Sequence, residues 1–281
     1  MSNKRSKKPE FTAGETVRIV PEEAILKSVD PRTKALDGCL FMEQMGDYCG
    51  NTYRILKVVR VFLDERQHRT FEPKSPMYLL EGLTCNGRVS EFPHRCDRRC
   101  FLLWHEQWLG RSDQGPSSRL DDRKKPSSSS AGSTRCQLQL YDELGHKNPW
   151  LNEKLQFSIA RLGHYRRKIR ARLHTRNHAA ARVQIPRDEI RSGDLVRVRT
   201  AEEIKGTLDR RGQTGGCGFA GPMYRYCGKE FRVVEKVDHF FDQARERFCK
   251  CKDLFLLEGA YCDSCDRNCF YFWHINWLGK V

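Results

Sequence analysis

Short runs of β-branched and aromatic residues recur near both ends of the chain, and each run is bounded by residues that favour turns. The runs cover residues 16–20, 53–62, 77–80 and 101–104 in the first part and residues 195–199, 231–241, 254–257 and 270–273 in the last part. Runs of this length and composition predict β-strands. Several short strands separated by Gly-containing turns are typical of a small barrel or sandwich, so the fold is predicted to be mainly β.

Three helices are predicted between the strands. Residues 22–30 and 202–209 each begin with paired acidic residues, which interact favourably with the N-terminal end of a helix dipole. A longer helix is predicted over residues 148–182, where Asn148 and Pro149 suit the N-cap and the first turn. Its apolar residues form one stripe with spacings of three and four, namely Leu151, Leu155, Ile159, Leu162, Tyr165, Ile169 and Leu173.

The first and last parts of the chain repeat one another. GETVRI at Gly14 matches GDLVRV at Gly193, and CLFMEQMGDYCGNTYRILKVV at Cys39 matches CGFAGPMYRYCGKEFRVVEKV at Cys217 without a gap. LLEG occurs in both parts, and CDRRCFLLWHEQWLG in the first matches CDRNCFYFWHINWLG in the last. A repeat of ~90 to 100 residues is far longer than the units that stack in solenoids, so each copy is predicted to be a domain.

Three patterns are common to both copies: an opening Gly-acid-x-Val-Arg, a later Gly-x-x-[FY]-Arg-[IV]-[LV] and a closing Trp-x-x-x-Trp-Leu. Together they resemble the SH3-like barrel of the nitrile hydratase β subunit. The ending, with Leu-Glu-Gly-x-x-Cys before Trp-x-x-x-Trp-Leu, is also similar to uncharacterised bacterial Cys-rich modules. The resemblance implies two tandem SH3-like small barrels. It implies neither cobalt or iron binding nor nitrile hydration, because the cysteines of this chain have no counterpart in that barrel.

The repeat and the local composition together divide the chain into five predicted segments. They are a basic tail (1–10), a first Cys-rich SH3-like domain (11–110), a flexible linker (111–147), a basic amphipathic helix (148–182) and a second Cys-rich SH3-like domain (189–281). The linker is assigned from residues 114–134, which are rich in Ser, Gly, Pro and charge and too poor in apolar residues to pack.

The composition and charge of the chain indicate the compartment in which the protein is expected to reside. The 281 residues include 51 Lys or Arg against 36 Asp or Glu, which gives a formal charge of +15. No window approaches the ~18 consecutive apolar residues of a spanning helix, and the basic, polar start lacks the apolar run of a secretory signal. We therefore expect a cytoplasmic protein without a membrane span. Thirteen cysteines in a reducing compartment indicate metal coordination rather than a disulfide framework.

Four cysteines occupy equivalent positions in each copy and are the predicted metal ligands. They are Cys49, Cys85, Cys96 and Cys100 in the first copy and Cys227, Cys262, Cys265 and Cys269 in the second. Four thiolates suit a closed tetrahedral zinc site, and a closely spaced pair such as Cys96 and Cys100 lowers the entropy cost of ordering the ligands. The prediction is two structural zinc ions per chain, with His105 and His274 as alternative ligands. Reduced core thiols, an iron–sulfur cluster and a redox disulfide are the competing interpretations.

The remaining cysteines lie outside this set. Cys39 and Cys217 match each other and are interpreted as core residues, because cysteine is among the most buried residue types. Cys136 lies outside both copies and is interpreted as a free cysteine. Cys249 and Cys251 occur only in the second copy and cannot define a common site.

The sequence offers little support for catalysis. His105 and His274 are the only histidines present in both copies, each within a Trp-His-x-x-Trp segment. This placement favours a histidine that caps the barrel end or completes the metal site over a general base. The chain has no Gly-rich phosphate loop, no His-Glu-x-x-His and no Gly-x-Ser-x-Gly. We therefore assign no catalytic residue and identify no small-molecule substrate, and a binding role is favoured over catalysis.

Most of the excess charge lies between the copies. Residues 161–182 contain seven Arg and one Lys without a single acidic residue. A solvated helix face commonly mixes both signs, so this segment favours contact with nucleic-acid phosphates, with an acidic protein, a membrane surface and solvent alone as the alternatives. The candidate nucleic-acid-binding residues are Arg161, Arg166, Arg167, Lys168, Arg170, Arg172 and Arg176.

These features predict a non-catalytic, zinc-stabilised adaptor with tandem domains, whose basic helix contacts nucleic acid or a nucleoprotein. Two functions from other classes stay open. One is an accessory subunit of a metabolic enzyme complex, which the nitrile-hydratase-like barrel would suit. The other is a redox protein that uses its thiols.

Overall fold

A computed structural model describes residues 8–65, 69–112, 115, 135–140, 144–147, 189–263 and 265–281. The described residues are mainly β, which confirms the predicted fold class at this level. The predicted basic helix over residues 148–182 lies outside them, as do most of the predicted linker and the first seven residues of the basic tail. No helix in the described ranges is long and apolar enough to cross a membrane.

Short strands dominate the first part of the chain. Their bounds are β1 Thr16–Ile19, β2 Ala35–Leu36, β3 Cys39–Leu40, β4 Thr52–Val59, β5 Phe62–Asp64, β6 Arg69–Pro73, β7 Met77–Thr84, β8 Phe101–His105, β9 Leu109–Arg111 and β10 Gly145–Lys147. Helix α1 spans Glu22–Ser28, and short 3-10 helices span Glu43–Tyr48, Glu106–Trp108 and Gln137–Leu140. The predicted helix at residues 22–30 is thus confirmed and ends two residues early.

The last part of the chain has the same kinds of elements. Its strands are β11 Leu195–Val198, β12 Gln213–Thr214, β13 Cys217–Gly218, β14 Glu230–Asp242, β15 Arg247–Leu257, β16 Trp273–His274 and β17 Leu278–Lys280. Helix α2 spans Ala201–Thr207, inside the predicted range of 202–209 except for its first residue. Short 3-10 helices span Gly221–Tyr226 and Ile275–Trp277.

The chain divides into two compact units. Unit 1 comprises Met1–Asn148, His239–Cys249 and Ser264–Asn268, and unit 2 comprises Pro149–Asp238, Lys250–Asp263 and Cys269–Val281. Unit 1 therefore includes two segments from late in the sequence. The predicted domain bounds of 11–110 and 189–281 rest on the repeat alone and stay a prediction.

An open five-stranded sheet forms the main layer of unit 1. Its strand order is β8-β7-β4-β1-β9, and all neighbouring strands are antiparallel. Val17 of the central strand β1 pairs with Tyr53 on one side and with Arg111 on the other. The sheet β10-β6-β5 and the β2–β3 hairpin also belong to this unit, as do the adjoining ends of the paired strands β14 and β15.

The main sheet of the last part has the order β16-β15-β14-β11-β17. Val196 of β11 pairs with Phe231 on one side and with Lys280 on the other. In the sequence alignment of the two copies, these three residues match Val17, Tyr53 and Arg111. Residues that match in the repeat thus take the same register in the two sheets.

The described residues contain no closed barrel, whereas the sequence predicted two. Closure requires every strand to pair on both sides, and the outer strands of each main sheet pair on one side only. In unit 1 the chain leaves β4 at Val59 and enters the separate sheet of β5, β6 and β10 instead of closing the main sheet. The physical reason for the difference is therefore this change of sheet after β4.

The second tryptophan of each Trp-x-x-x-Trp segment anchors a helix to the core. Trp108 and Trp277 are fully buried. The indole N–H of Trp108 donates to Ser28 Oγ at 3.1 Å, and that of Trp277 donates to Thr207 Oγ1 at 3.0 Å. Ser28 is the last residue of α1 and Thr207 is the last residue of α2. An equivalent hydrogen bond from a tryptophan therefore holds each helix.

Two aspartates join the late segments of unit 1 to the rest of that unit. The Asp97 N–H donates to the His239 carbonyl oxygen at 2.8 Å, and the Asp97 carboxylate accepts the His239 N–H at 3.0 Å. The Asp266 N–H donates to the Val61 carbonyl oxygen at 2.8 Å, and its carboxylate accepts the Val61 N–H at 2.9 Å. In the repeat Asp97 matches Asp266 and Val61 matches His239, so the exchange is reciprocal.

Arginines next to these aspartates repeat the exchange. Arg98 Nη1 donates to the Phe241 carbonyl oxygen at 3.3 Å, and Arg267 Nη1 donates to the Leu63 carbonyl oxygen at 3.4 Å. Arg267 is buried and also donates to Gln243 Oε1 at 3.0 Å. Equivalent residues of the two copies therefore supply equivalent contacts inside unit 1.

Candidate functional site

Three predicted ligands of the first copy lie in the loop that joins β7 to β8. Cys85 follows the last residue of β7, and Cys100 precedes the first residue of β8. The Cys85 N–H donates to the Cys100 carbonyl oxygen at 2.7 Å, and the Cys96 N–H donates to the Gly87 carbonyl oxygen at 2.9 Å. Gly87 has a φ of +77°, and a Cβ at this residue would stand 1.9 Å from the Cys96 carbonyl oxygen. Glycine here therefore allows the turn after Cys85 to pack directly against Cys96.

N–H groups point at two of these sulfur atoms. The Gly87 N–H and Gln44 Nε2 each donate to Cys85 Sγ at 3.3 Å. The Phe241 N–H donates to Cys96 Sγ at 3.4 Å. Hydrogen bonds to the charged form of a group favour that form, and outer-shell hydrogen bonds orient metal ligands. At Cys85 these hydrogen bonds oppose the effect of burial, which is the first cause of its raised pKa.

The structure brings another cysteine close to this loop, Cys136, which is not among the predicted ligands. Cys136 is buried, and its pKa is raised well above the usual value, first by burial and then by the charges of Cys85, Cys100 and Cys96. A charge interaction with each of these three thiols indicates that Cys136 lies in their neighbourhood. The sequence signal for this placement is the short CQLQL run of residues 136–140, which follows an otherwise polar stretch.

Cys49 has a different environment. It caps the C-terminal end of the 3-10 helix Glu43–Tyr48, and its Sγ lies 3.6 Å from the Met45 carbonyl oxygen. Burial, followed by the negative charges of Glu22 and Asp47, raises the pKa of Cys49 to about 12. Its described interactions are with this helix and these acids, and the predicted grouping of Cys49 with Cys85 stays a prediction.

The matched cysteines of the second copy repeat part of this pattern. The Cys262 N–H donates to the Cys269 carbonyl oxygen at 2.7 Å, as Cys85 does to Cys100. Both of these residues belong to unit 2, whereas Cys265 belongs to the Ser264–Asn268 segment of unit 1. Cys227 caps the 3-10 helix Gly221–Tyr226, and its pKa is raised, mainly by burial. Cys227 thus corresponds to Cys49 in local structure.

No group of three or more His, Cys, Asp or Glu side chains in the described parts of the chain has an arrangement that could hold a metal ion. None of the thirteen cysteines, all of which lie in the described ranges, forms a disulfide bond. The raised pKa values of Cys85 and Cys136 mean that these thiols are neutral near pH 7 unless a cation replaces their protons. Zinc binding to this set therefore requires deprotonation and convergence of the sulfur atoms.

Both candidate histidines cap short helices. His105 is buried, and its Nδ1 accepts the Gln107 N–H at 3.1 Å. Because Nδ1 is the acceptor, Nε2 carries the proton and faces Asp37 Oδ2 at 3.4 Å. His274 Nδ1 accepts the Asn276 N–H at 3.2 Å in the same way. The Nδ1 lone pair of each ring is therefore engaged in a helix cap.

Cys39 and Cys217, predicted as core residues, also make matching contacts. Cys39 is buried and its Sγ lies 3.5 Å from the Leu103 carbonyl oxygen, while Cys217 is partly buried with its Sγ 3.6 Å from the Phe272 carbonyl oxygen. Burial is the main cause of the raised pKa of both thiols. Cys39 therefore belongs to the core, as predicted.

The candidate nucleic-acid-binding residues from Arg161 to Arg176 lie outside the described residues. Comparisons of the chain with protein families, with curated proteins and with solved structures find no match. The case for a function therefore rests on the residues themselves.

Proposed function

We propose that this chain is a non-catalytic, zinc-stabilised adaptor that binds nucleic acid through the basic segment at residues 148–182. The observation that carries the proposal is the sign of the charge: residues 161–182 hold seven Arg and one Lys and no acidic residue. Because phosphate contacts dominate nucleic-acid affinity, such a segment binds a polyanion without reading its sequence.

The proposed architecture is a duplication of one SH3-like β fold. Matched residues take the same register in the two main sheets, as the pairs Val17–Tyr53 and Val196–Phe231 illustrate. The hydrogen bonds of Trp108 and Trp277 to the last residue of a helix support the same conclusion. Two similar β folds flanking one basic segment suit an adaptor, because each can present a separate binding surface.

Zinc is the metal that the donor set suits. Thiolates are preferred ligands of structural zinc, and the N–H groups that point at Cys85 and Cys96 favour the deprotonated form that zinc requires. When bound, zinc would fix the loop between β7 and β8 and so contribute folding free energy. Residues of the second copy with the matching backbone bond, Cys262 and Cys269, are proposed ligands of a second ion.

The thiols themselves do not favour a redox function. A reactive cysteine needs a lowered pKa, whereas burial is the first cause of the raised pKa of Cys85, Cys136 and Cys217. A binding role for the protein, with the cysteines serving its fold, agrees better with these surroundings.

A salt titration of nucleic-acid binding tests the proposal. The triple replacement of Arg166, Arg167 and Arg170 by Gln should lower affinity for DNA and RNA alike, on the order of 10-fold or more at low salt. It should also flatten the log–log salt slope by about 3, because each lost phosphate contact removes about 0.9 from the slope. A gel-shift series over salt concentration measures both effects.

A matched control removes three charges elsewhere. Arg210, Arg211 and Lys229 are exposed in unit 2, and their replacement by Gln should leave the slope unchanged. Equal affinity of the wild type and the Arg166, Arg167 and Arg170 variant would contradict the proposal. Loss of a co-purifying enzyme when Leu155 and Ile159 are made polar would instead support the accessory-subunit alternative.

A further inference from the structure

We propose that Cys136 is the fourth thiolate of a zinc centre in unit 1, together with Cys85, Cys96 and Cys100. The inference rests on the zinc binding proposed above and identifies which residues bind the ion. It replaces Cys49, the ligand that the repeat suggests, by a cysteine from outside both copies. The residues 135–140 that carry it therefore become part of the site.

Buried hydrogen bonds attach the segment that follows Cys136 to the strands beside the cysteine loop. Gln137 is buried, and its Nε2 donates to the carbonyl oxygens of Leu40 at 2.8 Å and Leu103 at 3.0 Å. Its Oε1 accepts the Leu103 N–H at 2.9 Å. Leu103 lies on β8 three residues after Cys100, so these bonds hold Cys136 next to the end of the loop.

A second side-chain hydrogen bond attaches the same segment to the cysteine loop itself. Gln139 Nε2 donates to Glu91 Oε2 at 3.3 Å, and Glu91 lies in the loop between Cys85 and Cys96. Gln139 Oε1 accepts the Cys136 N–H at 2.7 Å. The segment is thus attached both to the middle of the cysteine loop and to strand β8 that follows the loop, and these two attachments hold Cys136 close to the loop.

The four cysteines supply the donor set of a tetrathiolate zinc site. Binding of one Zn²⁺ by four thiols would release four protons to solvent, leaving a centre of charge −2 with four Zn–S bonds of about 2.3 Å. N–H donors to Cys85 and Cys96 and the nearby charge of Arg99 offset this negative charge. By contrast, Cys49 stands beside two carboxylates, Glu22 and Asp47, which would repel a centre of charge −2.

The test compares single replacements in the full chain. Cys136→Ser should lower the zinc affinity of the unit 1 site by about 100-fold or more, because loss of a ligand exceeds the ~10–100-fold cost of losing an outer-shell partner. The matched control Cys49→Ser should bind zinc like the wild type. Zinc per chain is measured by mass spectrometry on reduced protein, and affinity by competition with a chelator.

Cobalt(II) spectroscopy separates coordination from folding. Cys136→His supplies another zinc ligand, so it should retain the metal while changing the visible absorption of the cobalt-loaded protein. Cys136→Ala preserves a small buried side chain but supplies no ligand, and it should lose the thiolate-to-cobalt absorption of one site. A Cys136→Ala protein with the zinc content and cobalt spectrum of the wild type would overturn the inference.

The failure of this inference is distinguishable from failure of the proposed zinc binding. If the wild-type protein retains no zinc under reducing conditions, both the proposed zinc binding and the role of Cys136 are contradicted. Wild-type protein that binds zinc, loses it on Cys49→Ser and keeps it on Cys136→Ser overturns the role of Cys136 alone.

Discussion

The groups around a cysteine determine how readily it becomes a metal ligand. Cys85 receives two N–H donors on its sulfur, and these favour the thiolate. Cys49 lies near the carboxylates of Glu22 and Asp47, which add to the effect of burial in raising its pKa to about 12. Burial is the first cause of the raised pKa of both thiols; the N–H donors oppose it at Cys85, whereas the carboxylates add to it at Cys49.

Glu203 gives helix α2 a contribution to stability that depends on pH. Its Oε2 accepts hydrogen bonds from the Thr200 N–H at 2.8 Å and from Thr200 Oγ1 at 2.9 Å. These bonds, the backbone one first, lower the pKa of Glu203 below its usual 4.5. Replacement Glu203→Ala should lower the free energy of unfolding by about 0.5 kcal/mol at neutral pH, a small value because solvent screens this exposed side chain.

The sign of the pH dependence follows from the lowered pKa of Glu203. A carboxyl group with a lower pKa in the folded state contributes its full stability above the unfolded pKa and loses it as the pH falls through the folded pKa. The difference between wild type and Glu203→Ala should therefore shrink as the pH falls below 4.5. Glu202→Ala, in the same exposed turn, is the control for thermal unfolding across the series. Identical pH profiles for the two variants would contradict this role of Glu203.

At the scale of elements, the 3-10 helix Gln137–Leu140 depends on one buried amide. Gln137→Leu would leave the Leu103 N–H and the carbonyl oxygens of Leu40 and Leu103 without these partners. Because an unsatisfied buried group costs about 1–3 kcal/mol, we expect a loss of about 2–3 kcal/mol in the free energy of unfolding, measured by denaturant titration.

Gln107→Leu is the matched control for this prediction. Gln107 is exposed in the 3-10 helix Glu106–Trp108, and its replacement should change stability by no more than about 0.5 kcal/mol. If Gln137→Leu were as stable as Gln107→Leu, the buried bonds of Gln137 would not hold this element in place.

Local patterns predicted the longest strands and both described α-helices but missed short strands such as β2, β3, β12 and β13. Strand β14 spans Glu230–Asp242, close to the predicted 231–241. Strand β15 begins at Arg247 rather than at residue 254, because its first half alternates charged and partly buried residues and carries no apolar run. Pairing with β14 supplies the stabilisation that these side chains lack.

The candidate site could be predicted only in part. The repeat correctly placed Cys85 and Cys100 in one loop, since both flank strands that match in the two copies. It also suggested Cys49, but Cys49 and Cys227 match because each caps a short helix. Cys136 has no counterpart in the repeat, and local periodicity carries no information about which distant segment packs on a loop.

At the scale of the whole molecule, unit 1 depends on residues 239–249. Phe92 stacks on Phe241 with ring centroids 5.1 Å apart, and His94 stacks on His239 at 4.4 Å. A fragment of residues 1–148 lacks these partners and the bonds of Asp97 to His239. Its midpoint of thermal unfolding should therefore lie about 5 °C or more below that of unit 1 in the full chain.

Addition of the missing segments provides the control. A fragment of residues 189–281 contains both late segments of unit 1 and should raise the midpoint of the 1–148 fragment when the two are mixed. The same fragment with Asp266→Ala should raise it less, because the carboxylate that accepts the Val61 N–H is gone. Equal midpoints for the 1–148 fragment and the full chain would show that the late segments contribute nothing.

The discontinuity of unit 1 also sets an order of events during synthesis. Residues up to 148 leave the ribosome well before residue 268, the last one that the unit needs. At ~5–20 residues per second the interval is about 6 to 24 s. For the first 93 of these 120 residues, about 5 to 19 s, the cysteine loop between β7 and β8 lacks the Phe241 N–H that bonds to Cys96 Sγ. The nascent chain therefore carries accessible thiols for seconds, and chaperones or cellular metal donors can reach them before the fold closes.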